Sequence, residues 1–117
     1  MREIKFRAYH YGADYSVRPE MLYDEKLGDV LRWKREGQDL SDVMQYTGLK
    51  DKNGHEIYEG DILDYRWKAS TRNLLIVEWS EKEACFLIGG VKTDYAIAYG
   101  EVVGNIYENP GLLEGGD

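Results

Sequence analysis

The sequence predicts a small, mainly β protein, either a barrel or a sandwich of short strands. Aromatic residues make up 13% of the 117 residues, and thirteen glycines accompany only two prolines. Aromatic side chains favour a pleated, half-buried surface, and glycine separates the strands. Short apolar segments also recur at a spacing of roughly 8 to 12 residues, as in small all-β domains. The alternative is an α+β protein with one short helix within residues 27–43.

The first segment, residues 3–11, is predicted to be a strand. Its apolar residues Ile4, Phe6 and Ala8 alternate with polar or larger residues, the two-residue period of a strand with one face on the core. Residues 20–23 could pair back on this strand as a hairpin. The sequence therefore predicts an N-terminal β-hairpin extension.

Residues 27–36 fit two patterns. Leu27, Val30 and Leu31 fit a helical stripe, whereas Leu31 and Trp33, each flanked by basic residues, fit a strand. Gly28 and the β-prone side chains favour the strand, which is the prediction here.

Glycines punctuate the middle of the chain, where they are interpreted as turn residues. Asn53-Gly54 lies between two alternating segments and predicts a two-residue hairpin turn of the primed type, which needs positive φ at both residues. The predicted turn residues are Gly48, Asn53, Gly54, Gly60 and Gly104.

Further strands are predicted towards the C-terminus, and the last of them leads into a short turn at Pro110. The predicted segments are residues 61–67, 74–79, 84–88 and 95–99, and the last strand lies in residues 105–109, before Pro110. The expected organisation is an N-terminal hairpin and variable segment (1–43), a barrel region (44–113) and a disordered tail (114–117), with the first two parts separate or folded as one unit.

Charge and cysteine content restrict the classes of function. The net charge of −7 and the pI near 4.8 repel phosphate backbones and anionic lipid. The single cysteine, Cys85, excludes an intrachain disulfide and fits a reducing compartment. The N-terminus has charges where a signal peptide needs an apolar run, and no apolar stretch reaches the roughly 20 residues of a spanning helix. A soluble cytoplasmic protein without membrane contact is expected.

No catalytic or cofactor site is predicted. His10, His55 and Cys85 are too few and too scattered for zinc. A calcium loop with Gly54 at position six would place Leu49 and Gly60 where carboxylates are required. Because no nucleophile–base pair or phosphate loop is recognisable either, the chain is predicted not to be an enzyme and to need no cofactor.

Aromatic and basic residues supply the candidates for binding. Five aromatic residues are candidates for the core or for an interface: Tyr46, Tyr58, Tyr65, Trp67 and Tyr107. Four residues form a basic–aromatic patch that could contact nucleic acid: Arg66, Trp67, Lys68 and Arg72. A similar string, RWKR, occupies residues 32–35. Small barrels bind single strands by stacking bases on aromatics within a basic groove, but alternating aromatics more often pack in a core.

Three strings together resemble the YopX-like family of phage and prophage proteins. They are REIKFRAY (2–9), MQYTGLKDKNGHEIYEGDI (44–62) and GNIYENPGLL (104–113), in the family's order. The resemblance implies a phage or prophage origin, an SH3-like β-barrel in the C-terminal part, and self-assembly, with a trimer as one option. It implies no catalytic residues.

The leading hypothesis is a non-enzymatic protein-interaction module that associates with itself and binds an unidentified phage or host protein. Short strands leave edges that a homo-oligomeric interface can cover. The alternatives are a nucleic-acid-binding accessory protein using the basic–aromatic patch, and an acidic inhibitor of a host protein.

Overall fold

The computed structural model describes residues 3–12, 18–65, 74–92 and 100–113, and every structural statement below refers to these residues. They form a mainly β protein with one short helix, which confirms the predicted fold class. The chain divides into two compact units, Met1–Tyr46 and Thr47–Asp117. The predicted strand at 95–99 and the predicted tail at 114–117 lie outside the described residues.

The described elements form two antiparallel sheets. In chain order they are β1 (Phe6–His10), β2 (Glu20–Tyr23), α1 (Asp29–Arg35), β3 (Met44–Lys50), β4 (Glu56–Tyr58), β5 (Asp61–Tyr65), β6 (Leu74–Ser80), β7 (Cys85–Ile88), β8 (Val91–Lys92), β9 (Gly100–Asn105) and a 3₁₀ turn (Pro110–Leu112). One sheet has the order β2-β1-β3-β4 and the other the order β8-β7-β6-β5-β9.

The N-terminal unit is built on the predicted hairpin. β1 and β2 pair antiparallel, with Arg7 opposite Tyr23 and Ala8 opposite Leu22. The helix α1 packs on the face of this hairpin that carries Ala8, and Val30 and Leu40 complete a fully buried cluster. Partly buried apolar residues surround the cluster: Phe6, Leu22, Trp33 and Val43.

The prediction of a strand across residues 27–36 is wrong, because Asp29–Arg35 forms α1. Val30 and Trp33 are three residues apart, so both reach the hairpin from one side of the helix. The acidic Asp29 in the first turn and basic residues in the last turn also suit the helix dipole. The alternative with one short helix within 27–43 is therefore the correct form of the prediction.

A carboxylate that precedes the helix fixes its first turn. Asp24 accepts hydrogen bonds from the backbone N–H groups of Val30 (2.8 Å), Gly28 (3.2 Å) and Phe6 (3.1 Å). Asp29 folds back in the same way onto the N–H groups of Glu25 and Lys26. Asp24 thereby satisfies two N–H groups at the start of α1 that the helix itself leaves without partners, and Asp29 holds the chain just before the helix.

The C-terminal unit contains the five-stranded sheet, which is curled like half a barrel. Ile57, Leu63, Val77 and Ile88 form its buried cluster, and Leu49, Leu75 and Val102 pack around them. β5 pairs with β6 on one side and with the outer strand β9 on the other. A bulge interrupts the pairing with β9 between Ile62 and Leu63.

Two local predictions for this unit are wrong. The loop between β3 and β4 is not a two-residue primed turn, because Gly54 has positive φ (85°) and Asn53 does not. Instead Gly54 N–H bonds to Asp51 O (3.0 Å) and Asp51 N–H to His55 O (2.8 Å), which closes a three-residue loop. Residues 106–108, predicted to continue a strand, form a turn after β9 ends at Asn105.

Candidate functional site

The loop between β3 and β4 is organised by one buried carboxylate, that of Asp51. Its Oδ1 accepts hydrogen bonds from the N–H groups of Asn53 (2.8 Å) and His55 (2.9 Å), and its Oδ2 accepts one from Val102 (2.8 Å) in β9. The side chain of Asp51 has no exposed surface. We call this loop, residues 51–55, with its contacts to β9 the β3–β4 latch.

Two further contacts attach the latch to β9. The backbone N–H of Lys52 donates to Gly100 O (3.2 Å), and Asn53 Nδ2 donates to Glu101 Oε2 (3.0 Å). The loop is therefore bound at both its backbone and its tip to a strand about fifty residues later in the chain.

Electrostatics keep Asp51 ionised. Burial raises the pKa of the Asp51 carboxyl, but the N–H groups of Val102, His55 and Asn53 and the nearby imidazole together hold it below its ordinary value. His55 Nδ1 lies 3.6 Å from Asp51 Oδ2, and its own side chain is 68% exposed. Because the ionised Asp51 carboxylate accepts three backbone hydrogen bonds that hold the loop, it is unsuited to proton transfer.

Two other polar residues hold turns in the same way. Asp61 is 1% exposed, and its Oδ2 accepts the N–H of Tyr58 at the β4–β5 turn (2.8 Å). Asn105 Oδ1 accepts the N–H groups of Tyr107 (3.0 Å) and Glu108 (2.8 Å), which folds the chain after β9. Both lie in the strings that carry the family resemblance, so those strings encode turns.

The histidine, cysteine and acidic side chains of the described residues form no metal site. No group of three or more His, Cys, Asp or Glu side chains in the described ranges could hold a metal ion. Cys85 is half-buried at the start of β7, opposite Ser80. His10, on the other unit, uses Nδ1 to accept the N–H of Gly12 (3.0 Å).

The predicted turn residues occupy different kinds of position. Gly54 and Gly60 lie in turns, and both have positive φ. Gly48 lies instead inside β3, although its φ of 89° is one that glycine adopts most easily. Gly104 also lies inside a strand, β9, where a Cβ atom would come within 2.6 Å of Asn109 Oδ1.

The candidate aromatic residues differ in burial. Tyr46 and Tyr58 are 4% and 3% exposed, so both lie in the interior of the folded chain. Tyr107 is half-buried in the turn after β9. Tyr65 is the last residue of β5, and Trp67 lies outside the described residues.

The nucleic-acid candidates Arg66, Trp67, Lys68 and Arg72 all lie outside the described residues. The similar RWKR string is part of α1, and its side chains have structural contacts.

In this string Trp33 packs against the core of the N-terminal unit. Lys34 Nζ donates to Leu40 O (2.8 Å), and Arg32 pairs with Asp29 (3.3 Å). These contacts give Lys34 and Arg32 partners within their own unit.

Exposed apolar residues in the N-terminal unit are the feature that sequence reasoning missed. The exposed large apolar side chains of this unit are Ile4 (53%), Tyr11 (46%), Tyr23 (47%), Leu27 (69%) and Leu31 (45%). The helical stripe of Leu27, Val30 and Leu31 does not reveal this exposure, because Val30 is buried whereas Leu27 and Leu31 are exposed.

Comparison with known proteins identifies the family of this β protein. The model of the YopX family, described as YopX protein, matches residues 1–114, and the chain belongs to that family. A crystal structure of protein EF1440 from Enterococcus faecalis is similar, with 25% sequence identity and a TM-score of 0.62. The match covers 97% of this chain and 100% of that one. None of the curated proteins matches the sequence.

The helices of the described ranges are short. None of the helices in them combines the length and the apolar character needed to cross a bilayer.

Proposed function

We propose that this chain is a non-enzymatic protein-interaction module that associates with itself. The observation that carries the proposal is the uneven distribution of exposed apolar side chains. Of the seven large apolar residues that are exposed in the described part of the chain, five belong to the N-terminal unit. Exposed aromatic side chains such as these tyrosines are enriched at surfaces that bind proteins.

The distribution of charge supports association through the same unit. Residues 1–46 contain eight Lys and Arg and nine Asp and Glu, whereas residues 47–117 contain seven and thirteen. Two copies that met through their acidic C-terminal units would repel each other. The nearly neutral N-terminal unit has a much smaller electrostatic cost of self-association.

The proposed setting is the cytoplasm of a bacterial host of a phage or prophage, with a phage or host protein as a further partner. Membership of the YopX family supports this setting, because the resemblance links that family to phages and prophages. A single cysteine is compatible with a reducing compartment.

Sedimentation velocity or light scattering over a wide concentration range tests the proposal. The expected result is a mass that rises with concentration to a defined oligomer, a dimer, a trimer or a larger assembly. A monomer at the highest concentration that stays in solution would contradict self-association.

A second candidate function is inhibition of a basic host protein by the acidic C-terminal unit. The excess of thirteen acidic over seven basic residues in 47–117 favours it. Capture of one host protein in low salt, lost with the variant Glu78→Gln/Glu81→Gln/Glu83→Gln, is the expected result. Equal capture by both proteins would exclude a role of this exposed acidic segment.

A further inference from the structure

The side of α1 that faces away from the core of its unit carries an apolar and a basic residue. Leu31 and Arg35 are one helical turn apart, and each lies two residues from Trp33, which packs on that core. At 3.6 residues per turn, this spacing places both of them roughly 160° around the helix from Trp33. Leu31 is 45% exposed, and Arg35 is also exposed in the basic last turn. We call Leu31 and Arg35 the α1 outer face.

An exposed tryptophan lies next to the turn between β6 and β7. Trp79 is opposite Phe86 in the strand pairing, and their rings make an edge-to-face contact with centroids 5.0 Å apart. Phe86 is 5% exposed, whereas Trp79 is 45% exposed. The buried ring therefore holds the indole in place while part of the indole stays open to solvent.

Acidic side chains follow this tryptophan in the turn. Glu81 and Glu83 are both exposed, on either side of Lys82. The N–H of Glu83 donates to Ser80 Oγ (3.1 Å), which folds the chain back directly after β6. An aromatic ring near carboxylates suits a cationic side chain, because the ring face attracts the cation and a carboxylate pairs with it. We call Trp79, Glu81 and Glu83 the Trp79 surface.

We infer that the α1 outer face of one copy binds the Trp79 surface of a second copy. This inference rests on the proposed function and names the two surfaces that perform it. Arg35 stacks on the indole and pairs with the glutamates of the turn, and Leu31 packs against the same ring. Tryptophan and arginine are among the residue types that contribute most to the affinity of protein interfaces.

A second copy fits these surfaces because the chain itself carries both, and they match in charge and in apolar character. The basic end of α1 meets an acidic turn, so this local contact is attractive although the whole chain has a net charge of −7. The contact joins the N-terminal unit of one copy to the C-terminal unit of another, so two acidic C-terminal units need not meet. It is heterologous, because each copy presents α1 to one neighbour and Trp79 to another.

Charge reversal on either surface tests the contact. Arg35→Glu and the double variant Glu81→Lys/Glu83→Lys should each raise the dissociation constant of the oligomer roughly tenfold or more, measured by sedimentation at low salt. Each Glu→Lys substitution adds two positive charges, so the double variant has a net charge of −3 instead of −7 and less general repulsion between copies. Weaker association of this variant would therefore come from the turn itself. Circular dichroism checks that both variants fold.

The matched control for Arg35→Glu is Arg18→Glu, which makes the same charge change at another exposed arginine of the N-terminal unit, outside α1. It should change the dissociation constant far less than Arg35→Glu. If neither charge reversal weakens the oligomer, or if the control weakens it equally, the inference fails and the self-associating module stands. If the wild-type chain is a monomer throughout, the proposed function itself fails.

A mixture of the two variant chains tests the heterologous arrangement. The Arg35→Glu chain keeps an intact Trp79 surface, and the Glu81→Lys/Glu83→Lys chain keeps an intact α1 outer face, so one native contact can form between them. The mixture should therefore sediment with a higher mass than either variant alone at the same total concentration. A mixture that keeps the mass of the separate chains would overturn the head-to-tail contact.

Discussion

Several carboxylates among the described residues accept hydrogen bonds from backbone N–H groups at turns, and Asp51 is the clearest example. It accepts three backbone N–H groups while its side chain has no exposed surface. A neutral side chain at this position keeps the shape but weakens charge-assisted hydrogen bonds, each of which is stronger than a neutral one. The stability of the C-terminal unit should therefore depend on the ionisation of this one residue.

Asp51→Asn is expected to lower the free energy of unfolding by about 1–3 kcal/mol near neutral pH. Because folding lowers the pKa of Asp51, its contribution is fully present above the ordinary value of 3.8 and is lost as the pH falls through the folded-state pKa. Urea unfolding at a series of acidic pH values should show a smaller loss of stability in the variant. The control Glu81→Gln, in an exposed turn, should keep the wild-type pH dependence.

Ala84 has a backbone conformation that suits glycine better. It lies in the turn between β6 and β7 with φ of 54°, in the left-handed region. Ala84→Gly removes the clash of its Cβ, so the free energy of unfolding should rise by up to about 1 kcal/mol, measured by urea denaturation. The neighbouring Glu83→Gly should lower the stability or leave it unchanged. A lower free energy of unfolding in Ala84→Gly would contradict the conclusion that the backbone of Ala84 is strained.

Gly104 allows the side chain of Asn109 to approach β9 closely, since a Cβ atom at residue 104 would lie 2.6 Å from Asn109 Oδ1. Asn109 Oδ1 accepts the N–H of Asn105 (3.1 Å), so Gly104→Ala would displace this side chain and break the bond. The expected loss is about 1–3 kcal/mol in thermal or urea unfolding. Gly111→Ala is the matched control, because nothing lies within 4 Å of its Cβ, and it should be nearly neutral.

Among the elements, the seven-residue helix α1 depends on a residue outside it. Asp24 accepts the N–H groups of Phe6, Gly28 and Val30, so it joins β1 to the first turn of the helix. A helix of this length is marginal without tertiary support. The capping carboxylate and the buried Val30 supply that support.

Asp24→Ala should destabilise the N-terminal unit by about 1–2 kcal/mol, the usual cost of losing a helix cap. Hydrogen exchange should accelerate most at the amides of Val30 and Gly28, which lose their acceptor. Glu25→Ala, an exposed neighbour, should leave these rates unchanged. Equal protection in both variants would mean that the cap contributes nothing.

The same elements show which parts of the fold the sequence predicts. β2 was predictable with its bounds, since it is a short apolar run that returns to β1. α1 was not, because two turns of helix carry too few apolar positions to distinguish a period of 3.6 from a period of two. The deciding residue, Asp24, lies five positions before the helix. The β3–β4 loop was predictable as a turn, but its attachment to Val102 was not, since that contact spans 51 residues.

At the scale of the molecule, the described residues form two buried clusters, and each is built from residues of a single unit. Ala8, Val30 and Leu40 belong to Met1–Tyr46, and Ile57 and its neighbours belong to Thr47–Asp117. Proteins open in cooperative regions that often coincide with such clusters. A cavity in one cluster should therefore destabilise the unit that contains this cluster more than it destabilises the other unit.

Reciprocal core variants test this separation. Ile57→Ala should cost about 2–5 kcal/mol, because it removes a fully buried side chain and leaves a cavity. Hydrogen exchange should then accelerate mainly at amides of the C-terminal unit, such as those of Gly60 and Gly89, which donate to Val77 and Ile76. Val30→Ala should instead affect the amides of Ser41 and Tyr46, which donate to Tyr9 and Lys5. If both variants accelerate all four amides equally, the two units unfold as one.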